Sequence, residues 1–137
     1  MSKYDVAIIG GGPAGVFAAY ELAEKKPELR ILVLESGRDI YTRTCPISTG
    51  KVKSCIGCKP CSIMRGFGGA GAFSDGKYNF TTKFGGWLNE YLSDSEVMDL
   101  IKYVDKINMK HGAPAQVFST KDSNIGQLAL QHDLHLL

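Results

Sequence analysis

Residues 4–35 read YDVAIIGGGPAGVFAAYELAEKKPELRILVLE, and their pattern decides the fold class. Residues 4–9 are a short apolar run with β-branched members, bounded by glycine, which predicts a buried strand. Gly10-Gly11-Gly12-Pro13-Ala14-Gly15 follows without a gap. Ala14, Phe17, Ala18, Leu22 and Ala23 then recur at helical spacing, with Pro13 suited to the first turn and Pro27 beyond the end. Residues 30–35 form a second predicted buried strand, closed by Ser36-Gly37. Strand, turn, helix and strand make one β–α–β unit, whose crossover is expected to be right-handed.

The glycines stand where a bound pyrophosphate needs them. In Gly10-x-Gly12-x-x-Gly15 the first allows the tight turn and the second lets backbone approach the phosphates. The third lets the helix pack close on the strand. The helix N-terminus offers unpaired N–H groups and a partial positive charge to the same phosphates. Glu35 ends the second strand, where a carboxylate can accept both hydroxyls of an adenosine ribose. An empty glycine-rich turn would leave Glu35 unexplained. The predicted class is α/β, with a Rossmann-like FAD/NAD(P)-binding fold. Spacing alone does not choose between NAD and FAD, because both present an ADP half.

The rest of the composition narrows the function classes. With 137 residues, one domain can bury a core without disulfide or metal staples. Lys and Arg total 16 against 14 Asp and Glu, and a formal charge of +2 excludes a protein driven onto nucleic acid by charge. An apolar fraction of 44% and a charged fraction of 22% exclude a disordered chain. No apolar run reaches membrane length and residues 1–5 lead into no signal-peptide core, so a cytoplasmic protein without membrane contact is expected. Glycine is the unusual component: 16 residues, eleven of them within 10–15 or 66–86. Charge is uneven as well. Residues 38–83 carry eight basic side chains and two acids, Asp39 and Asp75, which fits an anionic ligand or a solvated basic face.

DVAIIGGGPAGVFAAYELA followed by ILVLESGRD resembles the N-terminal FAD-binding motif of the two-dinucleotide-binding-domain flavoproteins. The resemblance implies that Gly10, Gly12 and Gly15, with Pro13 and Ala14 between them, hold the FAD pyrophosphate. It also implies that Glu35, beside Ser36, binds the adenosine ribose. Arg38 resembles the basic residue often found near the FAD ribose or phosphates in that group; the other reading is a solvated surface arginine.

Residues 66–77 read GFGGAGAFSDGK. Such a run is not expected to form a helix, and its small residues let backbone amides converge as an anion nest. Ser74 and Lys77 would add a hydroxyl donor and a cation. Gly68, Gly69, Ala70, Gly71, Ser74 and Lys77 lie in what is similar to the second flavin-contacting loop of the same flavoproteins. More narrowly, GGAGAFSDGK and the aromatic stretch after it resemble a family of bacterial FAD-dependent dehydrogenases. A flexible glycine turn is the plainer alternative. Tyr78, Phe80, Phe84, Trp87 and Tyr91 follow; core packing is the commoner use of such a cluster, the wall of a flavin or substrate pocket the other.

The cysteines form the sharpest remaining pattern. Cys45-Pro46 precedes Cys55-x-x-Cys58-x-x-Cys61, and a C-x2-C-x2-C run brings three thiolates into a small volume, as iron–sulfur clusters require. Cys45 would supply the fourth ligand of a 4Fe–4S cluster, although here the Cys-Pro pair comes first rather than last as in ferredoxin-type runs. Zinc on the same four thiolates, a redox-active thiol pair activated by Lys53, Lys59 and Arg65, and plain reduced cysteines stay open. With no secretion signal, a structural disulfide framework is not expected. His111 closes a predicted helix, and His132 and His135 lack a third ligand.

These readings divide the chain into a β–α–β unit at 1–37, a Cys/Gly-rich cofactor-contacting insertion at 38–92, and a helical segment at 93–137 that ends as a further strand begins. The insertion is too long for an ordinary connection. In the last part Ser93-Asp94-Ser95-Glu96 predicts a capping box, and Val97, Leu100, Ile101, Val104 and Ile107 share one helical face. His111-Gly112-Ala113-Pro114 is a stop signal. Residues 123–132 predict a short helix with Ile125, Leu128 and Ala129 inward, and 133–137 a strand just starting. The flavoproteins resembled here also return late in the chain with a Gly-Asp strand that holds the ribityl phosphate, and no such segment lies within these residues.

The expectation is the N-terminal portion of an FAD-dependent oxidoreductase, inactive alone, binding FAD weakly or not at all by itself, and aggregation-prone at its strand edges. Its partner would be a small-molecule substrate or a redox partner, with NAD(P)H a candidate electron donor and a 4Fe–4S cluster a candidate relay. No catalytic acid or base is assigned. Competing readings are a non-catalytic nucleotide-fold module whose four cysteines bind zinc, and an NAD(P)-only dehydrogenase.

Overall fold

The computed structural model describes residues 3–119 and 124–134. Its regular elements are β1 (Val6–Ile9), α1 (Pro13–Lys25), β2 (Ile31–Leu34), α2 (Asp94–Lys110) and α3 (Ile125–Gln131). Single 3-10 turns occur at Ile40–Thr42, Ala70–Phe73 and Leu88–Glu90. The chain divides into two compact units, Met1–Lys77 and Tyr78–Leu137.

The first unit opens with the expected Rossmann-like β–α–β motif. β1 and β2 pair in parallel, with Val6 opposite Ile31 and Ile9 opposite Leu34. Helix α1 starts at Pro13 behind an extended Gly12 and packs on both strands. Pro at the first helical position loses no hydrogen bond, because that N–H has no intrahelical partner anyway. The open ends of the strands are clamped by Asp5 and Arg30. Arg30 donates its backbone N–H and Nε to Asp5 Oδ2 and its terminal nitrogen to Oδ1, each at 2.9 Å. These bonds hold the Asp5 carboxyl well below the usual carboxylate range.

Both strands were expected to be buried, and the structure corrects that. Ile9 is 79% exposed and Leu34 48%. A parallel sheet is buried only when helices cover both faces, and among the described residues of the first unit two strands and the single helix α1 supply too little cover.

In the second unit α2 carries the capping box: Glu96 N–H donates to Ser93 Oγ, and Ser93 N–H donates to Glu96 Oε2 at 2.8 Å. At its other end Gly112 N–H donates to the Met109 carbonyl and Ala113 N–H to that of Asn108, the paired bonds that close a helix at glycine. Val97, Ile107 and Ala129 are the buried apolar side chains of the described residues. Leu100, Ile125 and Leu128, read as inward-facing, are exposed instead, because few elements surround these helices to cover a full apolar stripe. The aromatic cluster is likewise not core: Tyr78, Phe84, Trp87 and Tyr91 are exposed, and Tyr78 stacks on Phe80 with ring centres 5.3 Å apart. Tyr78 also donates its hydroxyl to Asp105 Oδ1 at 2.6 Å. Of the strand expected at 133–137, Asp133 lies in a turn after α3, Leu134 has no regular structure, and residues 135–137, His135 included, lie outside the described residues.

Candidate nucleotide-binding site

The site is built where β1 gives way to α1. Gly10 extends the ladder by donating to the Leu34 carbonyl at 2.7 Å, then turns sharply with φ +104°, a region that glycine alone enters without strain. Gly15 sits so close behind it that a Cβ there would collide with the Gly10 carbonyl oxygen and approach Ile8. A Cβ at Gly12 would meet nothing within 4 Å. One glycine is therefore required by the protein's own packing, and the other leaves space. No side chain caps α1, and its first amides have no intrahelical partners, so the N-terminus presents donors and partial positive charge to that space.

Glu35 fastens the two strand ends together. Its Oε2 accepts from Gly11 N–H at 2.7 Å and its Oε1 from Gly37 N–H at 2.8 Å, with the Ser36 hydroxyl at 3.4 Å. The Gly11 bond, then the Gly37 bond, hold this carboxyl below its usual range. An ionised carboxylate has about four acceptor positions, so capacity remains for ribose hydroxyls.

The second glycine run is folded onto the first. Phe67 N–H donates to the Arg38 carbonyl at 3.0 Å, and Gly68 N–H donates to the Gly11 carbonyl at 2.8 Å. Gly69 lies against the turn, where a Cβ would stand 2.9 Å from Pro13 Cδ and 3.2 Å from Gly12 Cα. The anion nest is only partly available, since the amides of Phe67, Gly68 and Gly69 are taken by the carbonyls of Arg38, Gly11 and Gly66. The run is also not free of helix, because Ala70–Phe73, holding Ala70 and Gly71, makes one 3-10 turn. Ser74 donates to the Gly71 carbonyl at 2.9 Å, and the Lys77 ammonium pairs with Asp75 at 3.2 Å, so both are engaged within their own loop. Arg38 enters through its backbone, bridged in parallel to Gly66.

One residue that organises this region escaped sequence reading. Arg43 is 5% exposed, and its guanidinium donates to four carbonyls: Ser62 and Ile63 just after Cys61, and Phe67 and Gly69 in the glycine loop. The Phe73 ring lies 4.6 Å from its charge centre. A buried cation without a carboxylate is tolerable only when its donors are satisfied this fully. A lone arginine in a stretch without periodicity gives no sequence signal for such a role.

The four cysteines are free thiols and line one pocket with Pro46, Ile47, Val52 and Ile56. Among the described residues no three His, Cys, Asp or Glu side chains stand so that they could hold a single metal ion. No helix of the described residues is long and apolar enough to cross a membrane.

Known proteins resemble this chain at the level of a family and of segments of longer proteins. The family model described as pyridine nucleotide-disulphide oxidoreductase matches residues 4–112. A mitochondrial L-2-hydroxyglutarate dehydrogenase of Dictyostelium discoideum is 37% identical over 60 residues, 44% of this chain and 14% of that protein. An uncharacterised protein of Clostridium beijerinckii is 32% identical over 121 residues, 87% of this chain and 19% of that one. A thiamine thiazole synthase of Phaeosphaeria nodorum is 54% identical over 36 residues, 26% of the chain and 11% of the enzyme. The matched segments thus span less than a fifth of these relatives. No solved structure matches.

Proposed function

The chain belongs to the pyridine nucleotide-disulphide oxidoreductase family, and from that premise we propose that it supplies the ADP-binding part of an FAD-dependent dehydrogenase. The family itself places it among oxidoreductases that bind flavin or nicotinamide nucleotides. The observation that carries the choice of FAD is the meeting of the two glycine clusters, through the Gly68–Gly11 bond, around the open space at Gly12. One loop serves a nucleotide pyrophosphate; a second loop held on the same turn suits a cofactor that extends further. The dehydrogenase among the relatives agrees in kind with a redox reading.

In this reading the bound flavin supplies hydride or single-electron transfer. The chain's own residues bind and orient it. The α1 N-terminus and Gly12 take the pyrophosphate, and Glu35 takes the ribose hydroxyls. Gly15 keeps the helix tight on β1, and Arg43 keeps the second loop in place. The other partner is a small-molecule substrate or a redox protein, NAD(P)H is the electron donor, and the setting is cytoplasmic.

Titration of the full chain with FAD, ADP and NADH tests this. FAD fluorescence should be quenched saturably and restored by ADP, which shares the seat. Tight NADH binding with no FAD binding would favour a nicotinamide-only dehydrogenase. Binding of neither would count against a self-sufficient nucleotide site in these residues.

A further inference from the structure

We propose that the four-cysteine pocket is the binding site of an iron–sulfur cluster of the four-iron type. Three observations converge there. Cys45, Cys55, Cys58 and Cys61 come from two separate stretches yet line a single pocket, and all four are unpaired thiols. Chance would not be expected to bring every cysteine of the chain to one cavity. The other lining is largely apolar, from Pro46, Ile47, Val52 and Ile56, which suits a group bound through sulfur.

The thiols are nevertheless not gathered around a point, as a single zinc ion demands. A four-iron cluster makes no such demand. Each iron takes one cysteine and completes its coordination with sulfide, so the thiolates surround a group larger than an ion. The cavity is about 30 Å³ in this conformation. Its lip, at Cys55 and Ile56, is exposed, so an occupant larger than the void can extend past it into solvent.

Charge agrees. A cluster on four thiolates is anionic, and between Asp39 and Asp75 the sequence has no carboxylate but carries Arg43, Lys51, Lys53, Lys59 and Arg65. Arg43 also grips the backbone of Ser62 and Ile63, directly after Cys61, which fixes one wall of the pocket. The assignment does not depend on flavin binding.

The test is anaerobic reconstitution of the full chain with ferrous iron and sulfide, followed by desalting. About four irons and four sulfides per chain should be retained, with broad visible absorption that dithionite bleaches. Retention of no iron, or of zinc without sulfide from a competing mixture, overturns the proposal. Cys58→Ser and Cys61→Ser should each lose most of the iron while keeping the parent's far-ultraviolet dichroism. If either variant loses that dichroism, iron retention by Cys55→Ala decides in its place. Full iron in the folded variants would mark the metal as adventitious. Iron and sulfide counts are independent of flavin content, so failure of one leaves the other readable.

Discussion

The backbone N–H of Gly68 donates to the carbonyl of Gly11 at 2.8 Å, and through this one bond the chain's two glycine clusters become one surface. Gly69 then lies against Gly12 and Pro13, so the second loop borders the space a pyrophosphate would fill. The choice of FAD rests on that juxtaposition.

Gly12 and Gly15 should separate binding from stability. A Cβ at position 15 runs into the Gly10 carbonyl, whereas one at position 12 meets nothing. Gly15→Ala is expected to lose about 1–3 kcal/mol in urea unfolding, the usual cost of overpacking. Gly12→Ala should stay within about 0.5 kcal/mol of the parent. Its FAD affinity should nevertheless fall by roughly tenfold or more, because the methyl occupies the phosphate's approach.

Arg43 should be the most sensitive position outside the nucleotide turn. Arg43→Met fills similar volume but leaves four carbonyls without their donor. Unpaired buried acceptors cost about 1–3 kcal/mol each, discounted where water can reach them. Loss of about 3 kcal/mol is therefore expected by urea denaturation. Alkylation of the cysteines should become faster in the same variant, since Ser62 and Ile63 lose their anchor.

Glu35 sets an acid limit and a coenzyme preference. Its carboxyl is held below the ordinary value by the Gly11 and Gly37 amides. A lowered folded-state pKa contributes stability above the unfolded value of about 4.3, and that contribution is lost as pH falls through the folded value. Asp5 behaves in the same sense through Arg30. Glu35→Gln should flatten the stability profile below about pH 4, leaving the Asp5 part, as read by thermal melts across pH.

A carboxylate facing the ribose repels a 2′-phosphate. NADPH should therefore compete with FAD more weakly than NADH, by roughly tenfold or more, and Glu35→Gln should narrow that gap. Competition titrations with the two reduced coenzymes check this.

The nucleotide unit was legible because its signals are local. A strand run, a glycine turn, a helix with Pro13 at its start and an acid after the second strand lie in one contiguous segment. The capping box at Ser93 and the glycine stop at Gly112 were legible for the same reason. Burial was not. Ile9, Leu100 and Leu128 carry apolar patterns that foretell an inward face, yet exposure depends on which other elements arrive to cover it. Arg43 was invisible because its role lies in four backbone carbonyls, which no residue-type pattern encodes. Composition at 66–77 shows that amides can converge there, but not that those of Phe67, Gly68 and Gly69 are taken by neighbouring backbone.

The most direct test of the joined glycine clusters is amide hydrogen exchange of the full chain with and without saturating FAD. Protection is predicted to rise together at residues 11–16 and at 68–73. Protection confined to the first segment, with the second unchanged, would contradict a single site built from both.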